Sequence, residues 1–240
     1  MRNLTLENVA KACNGRLFCD SEELSKREVS DIVTDNRKVT KDSLFVAIKG
    51  ARVDGHSFIN SAYEAGALCV ISERKLDIDK PYILVESSLV AIKNIAKFYR
   101  KGLDIKVVGI TGSVGKTSTK EMIYSVLSEK YNVLKTEGNF NNELGLPLTI
   151  FRIREEHEIA VLEMGISDVG EMARLSEIAQ PDVAVITNIG LCHLENLKTR
   201  DGILKAKTEM FKNISEDASI VLNGDDDKLS TISEYNGIKP

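Results

Sequence analysis

The feature that most restricts this chain is Thr111-Gly-Ser-Val-Gly-Lys-Thr117, set between the apolar run Ile105-Lys-Val-Val-Gly-Ile110 and a helix-forming stretch from 116 to about 129. A buried strand that turns through glycines into a helix start is an α/β device. The glycines let the backbone close around phosphate oxygens, and successive N–H groups at the helix N-terminus supply positive potential. Lys116 adds a point charge for the outer phosphates, and the Thr117 hydroxyl suits Mg2+. The general phosphate-loop pattern has glycine where this chain has Ile110, with Gly109 and Gly112 on either side. The competing reading is a glycine-rich β–α turn with a chance lysine. The order strand, glycines, Lys-Thr and helix argues against it.

The rest of the second half alternates in the same way. Strands are predicted at 132–134, 158–164, 182–187 and 219–222, with helices at 170–179 and 201–212. Continuous apolar strands separated by helices predict a mostly parallel sheet covered on both faces. Ligands of such sheets bind beyond the carboxyl ends of the strands. Glu163 closes one strand there, as a second Mg2+ ligand or as an ordinary strand-end carboxylate; taken alone it fits either. His193, in Thr187-Asn-Ile-Gly-Leu-Cys-His193, follows the next strand at the same edge. A lone histidine is more often structural, but an edge shared with Lys116 and Glu163 favours function. Lys205 and Lys207 lie two apart on a predicted helix, so at most one faces the site, and composition alone favours solvated lysines. His157 reads as a solvated loop residue and Asp225-Asp-Asp227 as a polar turn.

Residues 1–104 read as a smaller α/β unit. Leu6, Val9, Ala10 and Cys13 fall at helical spacing, and 44–48 is an apolar run of strand length. Phe58, Ile59, Ala62, Tyr63 and Ala65 mark an amphipathic helix that Gly66 can stop. The runs 68–71 and 82–85 read as strands joined by the polar loop 73–81. Ala91, Ile92, Ile95, Ala96 and Tyr99 predict a helix over about 88–101. Gly102-Leu-Asp104 marks the boundary, and 105–240 form the second domain. A length of 240 residues is comfortable for two domains.

Lys plus Arg number 32 against 36 Asp plus Glu, a net charge of −4, which is a poor footprint for nucleic acid. Residues 1–104 carry 17 basic and 15 acidic groups and the remainder 15 and 21, which leaves the first domain freer to meet an anionic ligand. No apolar run approaches the ~20 residues of a membrane span, and the N-terminal segment has no signal-peptide core. Cys13, Cys19, Cys69 and Cys192 fit neither a zinc pattern nor a CxxC pair, so they read as reduced thiols of a cytoplasmic protein.

Four segments of the second half together resemble the Mur ligases. They are the loop 111–118, Glu137-Gly-Asn-Phe-Asn-Asn-Glu-Leu-Gly-Leu-Pro147, Leu162-Glu-Met-Gly165 and Thr187-Asn-Ile-Gly-Leu-Cys-His-Leu194. The Asn-Phe-Asn-Asn block and Glu-Met-Gly are closest to the branch that adds D-alanyl-D-alanine to UDP-N-acetylmuramoyl-tripeptide, ahead of its sister MurE. In the first half, Thr34-Asp-Asn-Arg37, Asp42-Ser-Leu-Phe-Val-Ala-Ile-Lys-Gly50 and Asp54-Gly-His-Ser-Phe58 are similar to the UDP-sugar-binding domain of these ligases.

The resemblance implies a small N-terminal α/β UDP-sugar-binding domain followed by a P-loop, mostly parallel-sheet ATP-binding domain. It implies ATP and Mg2+ as cofactors and UDP-MurNAc-tripeptide and D-Ala-D-Ala as substrates of a cytoplasmic, monomeric ligase in peptidoglycan synthesis. The terminal carboxylate of the tripeptide becomes an acyl phosphate, which the dipeptide amine attacks. Thr111, Gly112, Ser113, Val114, Gly115, Lys116, Thr117 and Asn142 are the implied nucleotide-binding residues. Thr117 and Glu163 are implied holders of one Mg2+, and Glu163 with His193 of a second. Lys116, His193 and Lys207 are implied catalytic residues, Lys207 aligning with a lysine that Mur ligases often carbamylate. Thr34, Asn36, Ala51, Arg52 and Val53 match positions lining the uridine pocket; Asn36 departs from the Ser or Thr usual there, and His56 fits as a brace of the pocket loop.

Enzymes of that branch carry a third domain, on the order of 100–150 residues. The expectation from 240 residues is that this chain lacks it, along with the last part of the central domain, and does not ligate unaided. Two other readings compete: a nucleotide- or UDP-sugar-binding module without turnover, and a P-loop kinase of another family. The kinase reading accounts for 111–117 but not for the front segments or the block 139–147.

Overall fold

Apolar runs become short, mostly parallel strands in the computed structural model, which describes residues 1–215 and 217–240. Two units result, Met1–Gly102 and Leu103–Pro240.

The first unit runs α1 (Leu6–Ala12), β1 (Arg16–Phe18), α2 (Glu22–Ser25), β2 (Ile32–Val33), β3 (Leu44–Val46), α3 (Ile59–Glu64), β4 (Cys69–Ser72), β5 (Tyr82–Leu84) and α4 (Ser88–Lys101). Its sheet has the order β1-β5-β4-β3-β2, with only β1 antiparallel to its neighbour. Phe45, Val70, Ala62, Tyr63 and Tyr82 form the centre of one core, and Phe18 stacks on Tyr82 at 4.6 Å. Helix α4 buries the predicted face of Ala91, Ile92, Ile95, Ala96 and Tyr99, and Ser87 caps its N-terminus by accepting from the Val90 amide. Strands β1 and β2 have three and two residues, too short to show a period of two, and the sequence pattern does not announce them.

The second unit runs β6 (Lys106–Thr111), α5 (Lys116–Leu127), β7 (Val133–Lys135), α6 (Gly145–Ile150), β8 (Ile159–Glu163), α7 (Glu171–Ala179), β9 (Val183–Ile186), α8 (Leu194–Leu197), α9 (Arg200–Thr208) and β10 (Ser219–Leu222). Its sheet, β10-β9-β6-β8-β7, is parallel throughout. The α/β expectation and the parallel second sheet both hold. Helix α6 contains Gly145 and Pro147 and is not among the elements predicted from sequence. It forms because Leu146, Pro147 and Ile150 are buried and the Asn142 side chain accepts from the Gly145 amide at 2.8 Å. Pro147 sits in the first turn, where its missing N–H is not needed.

Strand β6 lies at the centre, and the chain leaves it toward β7 on one side and later returns to β9 on the other. The carboxyl ends of β8, β6 and β9 are therefore adjacent. Register places Ile110 beside Glu163 and Thr111 beside Ile186. The Ile110 departure now has a reason: its side chain is wholly buried with Val108, Val161 and Val185, as the last core residue of the central strand.

Candidate functional site

At the end of β6 the backbone turns at Gly112, whose φ is +150° and where a Cβ would lie 1.9 Å from the Thr187 hydroxyl oxygen. Only glycine fits that turn. Gly115, at φ +79°, opens α5 as its N-cap without a side-chain hydrogen bond, so the first amides of the helix are left for a ligand. The loop is held from across the sheet. Asn188 Oδ1 accepts from the Ser113 and Val114 amides, both at 3.0 Å. Thr187 donates its hydroxyl to the Val114 carbonyl at 2.6 Å, and the Gly190 amide donates to Ser113 Oγ at 2.8 Å. Lys116 Nζ folds back onto the Gly112 carbonyl at 2.9 Å. The Thr111 hydroxyl is fully buried with no hydrogen-bond partner among the described residues.

Glu163, at the end of β8, is 3% exposed. The Thr117 hydroxyl donates to its Oε2 at 3.0 Å and the Asn141 amide group to its Oε1 at 2.8 Å. The Thr136 hydroxyl accepts from the Glu163 amide at 3.0 Å. Lys120 Nζ stands 3.7 Å from Oε2. A hydroxyl beside a buried carboxylate, beneath a glycine-built phosphate loop, fits Mg2+ of the kind that shares its coordination shell with nucleotide phosphates. No group of three or more His, Cys, Asp or Glu that could hold a metal occurs among the described residues.

The other predicted residues fall less tightly. His193 is exposed, at φ 55°, and its carbonyl accepts from the Asn196 and Leu197 amides as the N-cap of α8; no hydrogen bond joins its ring to Glu163 or Thr117. Asn142 spends its side-chain oxygen on the Leu144 and Gly145 amides, and the neighbour that touches Glu163 is Asn141. Of the two lysines on α9, Lys205 is exposed and Lys207 is 2% exposed, with no hydrogen-bond acceptor among the described residues. Burial pushes the Lys207 ammonium down to about 8, with Lys116 adding to the fall and Cys192 opposing it. The Cys192 thiol in turn lies 3.1 Å from Ser113 Oγ. All four cysteines are free. His157 is half-buried and closes a turn, its Nδ1 accepting from the Arg154 amide at 2.9 Å. In the polar turn 225–227, Asp226 accepts from the Ile189 amide at 2.8 Å and so steadies the loop that carries Asn188.

Sequence reading missed Lys120, Asn141, Thr136 and Asn188. Lys120 had a usable signal: it lies four residues after Lys116 and three after Thr117, on one helix face. The others hold Glu163 or the phosphate loop only because distant strands become neighbours.

In the first unit the predicted pocket residues lie on two loops that follow the adjacent parallel strands β2 and β3. Asn36 opens a 3-10 turn, Asn36–Lys38, and donates to Ser61 of α3 at 3.2 Å. Thr34 and Asn36 are half-buried, while Ala51, Arg52 and Val53 form an exposed tight turn closed by the Gly50 amide on the Val53 carbonyl. Asp54 then accepts from the His56 amide at 3.0 Å and from Arg74 at 2.5 Å, and shares a 2.7 Å bond with His56 Nδ1. The Glu73 amide donates to His56 Nε2 at 3.1 Å, so that nitrogen is an acceptor and Nδ1 carries the proton. His56 is thus a brace of the loop. Its hydrogen bond holds the Asp54 carboxyl down to about 2.

Comparison with known proteins bears on both units. The Mur ligase middle domain matches residues 110–239, more than half of the chain, and the Mur ligase family catalytic domain matches residues 28–113. The chain is 43% identical over 228 residues to the UDP-N-acetylmuramoyl-tripeptide--D-alanyl-D-alanine ligase of Bacillus subtilis, covering 94% of this chain and 50% of that protein. Among solved structures, MurF from Acinetobacter baumannii is similar at 34% identity and a TM-score of 0.85, over 95% of this chain and 50% of that one. MurF from Thermotoga maritima, solved in complex with ADP, is similar at 42% identity and a TM-score of 0.78, over 88% and 48%. The chain spans about half the length of the curated relatives it matches.

Proposed function

Because the chain belongs to the Mur ligase family, we propose that it serves the reaction named for its MurF relatives. That reaction is the ATP-dependent joining of D-alanyl-D-alanine to UDP-N-acetylmuramoyl-tripeptide in peptidoglycan precursor synthesis. The observation that carries this reading is the Thr117–Glu163 pair beneath the phosphate loop, at the adjacent carboxyl ends of β6 and β8.

The residues divide the work as follows. The amides that open α5 and Lys116 receive the phosphates of ATP, with Thr111 offering a buried hydroxyl that has no partner among the described residues. Lys116 exchanges the Gly112 carbonyl for phosphate oxygen. Thr117 and Glu163 would hold Mg2+, which offsets the mutual repulsion of two anionic substrates. Phosphoryl transfer from ATP to the tripeptide carboxylate breaks the terminal P–O bond and forms an acyl phosphate with ADP released. Attack by the dipeptide amine on the acyl carbon forms the amide, and inorganic phosphate leaves with the bond pair and takes up the proton that the amine loses. Asn141 keeps Glu163 aimed through both steps.

His193 lies on the loop that carries Asn188, and we assign it to the same site from that position. Lys207 is buried and close to its neutral form near pH 8, the form that adds CO2 at nitrogen and sheds a proton to give a carbamate. In the first unit the loops at 34–37 and 50–54 receive uridine, with Arg52 and Asn36 as polar contacts. The four free cysteines suit a reducing cytoplasm. No helix among the described residues is long and apolar enough to cross a membrane.

Calorimetric titration tests the reading. Mg·ATP should bind residues 1–240, and Lys116→Ala should lose most of that affinity with its thermal transition intact; equal affinity overturns the nucleotide site. UDP should bind without ATP and more weakly to Arg52→Ala. Residues 1–240 by themselves should release no phosphate in response to D-Ala-D-Ala and UDP-MurNAc-tripeptide. We place the groups that orient the amine in the other half of the relatives' length, and the proximity they supply is worth ~7–11 kcal/mol.

A further inference from the structure

The ligase reading leaves Lys120 without a task. Its side chain is 2% exposed, as deeply buried as that of Glu163. The ammonium stands 3.7 Å from Glu163 Oε2 and 3.3 Å from Glu121 Oε1. Glu121, at the rim, also pairs with Lys135, whose ammonium lies 4.1 Å from the centroid of the Tyr124 ring. Thr117 and Asn141 already aim the Glu163 carboxylate, one on each oxygen. At 3.7 Å Lys120 makes no hydrogen bond to Glu163, so its contribution there is charge and not orientation. A divalent cation that arrives alone meets a carboxylate whose charge is already balanced and a fixed positive charge behind it. Nucleotide phosphates bring several negative charges and reverse that balance.

We propose that Lys120 is a resident counter-cation that makes divalent-metal binding at Glu163 conditional on nucleotide, with Glu121 drawing the ammonium aside when the metal–nucleotide pair enters. This rests on the nucleotide-site reading above. By linkage, the factor by which nucleotide raises metal affinity equals the factor by which metal raises nucleotide affinity. The device therefore keeps the site from filling with metal in the absence of ATP.

The test follows free Mn2+ by its electron paramagnetic resonance signal, with and without ADP, in residues 1–240 and in the variants Lys120→Met, Lys120→Arg and Glu121→Gln. In the unaltered protein ADP should raise Mn2+ affinity at least tenfold, within the ~5–150-fold range of ordinary couplings. Lys120→Met should bind Mn2+ alone roughly tenfold tighter and lose most of the dependence on ADP. Lys120→Arg should behave as the parent. Glu121→Gln should shift the other way, weakening Mn2+ binding in the presence of ADP, because the ammonium then stays with Glu163. Equal coupling in the parent and Lys120→Met overturns the proposal, as does loss of Mn2+·ADP binding by a Lys120→Met protein that melts normally. Removing one member of a buried pair is strongly destabilising. If Lys120→Met does not fold, Glu121→Gln decides: an unchanged Mn2+·ADP affinity overturns the proposal. A parent protein that binds no ADP refutes the nucleotide site itself, and the proposal with it.

Discussion

The two units place their candidate sites at the same kind of edge, the carboxyl ends of parallel strands, but they hold the loops there by different means. In the first unit the loops are tied largely by local carboxylates: Asp35 accepts from Arg37, and Asp54 from His56, each two residues on. In the second unit the phosphate loop is tied by Asn188, Thr187 and Gly190, which lie 73 to 77 residues along the chain from their partners. The difference teaches what each loop requires. A local cap forms as soon as its turn forms, and survives distortion of the sheet. A loop held from another strand has its shape only when β9 is docked on β6, so the phosphate site and the fold of the second unit stand or fall together.

Four changes would break or sharpen that contrast. The largest effect is expected for Gly112→Ala, where a methyl group would meet Thr187 at a backbone angle unsuited to side chains. The cost should be on the order of 3–4 kcal/mol with nucleotide binding abolished, read by denaturant unfolding and ATP titration. An alanine variant as stable as the parent would mean the two strands' loops are not in contact.

Next comes Lys207→Met. The folded-state pKa of Lys207 lies at about 8, below its unfolded value of 10.5. The unfolded chain therefore binds this proton more tightly, and the charge destabilises the fold most below pH 8. That penalty falls as pH rises from 8 toward 10.5. The methionine variant should be more stable at pH 7 by up to about 3 kcal/mol, and the gain should shrink over that window. Unfolding curves at pH 7, 9 and 10.5 would show it; a gain independent of pH would assign the effect to packing.

A smaller loss, about 1–2 kcal/mol, is expected for Asn188→Ala, which takes the side-chain acceptor from two loop amides. ATP affinity should fall with it. The smallest change is expected for Asp54→Asn. Asp54 has a folded pKa of about 2 against an ordinary 3.8, so its support of the first unit is present above pH 4 and lost as pH falls toward 2. The asparagine variant should melt slightly lower near neutral pH and lose that acid slope, with ATP binding unchanged. An equal acid slope in both proteins would place the sensitivity elsewhere.

The sequence by itself determined the elements whose cause is local. Strand β6, the glycine turn and α5 follow from an apolar run, two glycines and a Lys-Thr helix start within thirteen consecutive residues, 105–117. The buried face of α4 follows from a period of 3.6, and the placement of Glu163 at a strand end follows from the apolar run before it. The separation of Lys205 from Lys207 is equally local, because residues two apart on a helix cannot share a face.

Tertiary structure decided everything that depends on which strands become neighbours. Asn141 and not Asn142 reaches Glu163, because the loop after β7 returns beside β8 with one side chain inward and the next committed to capping α6. Ile110 replaces the usual glycine without harm because β6 is central and its last side chain belongs to the core. Lys120 is a buried ion-pair partner instead of a solvated helix lysine because α5 packs over β8 and brings its ammonium to Glu163 and Glu121. A helical period states which residues share a face. The strand order alone determines what that face meets, and strand order is set by burial of whole apolar surfaces and not by any residue read singly.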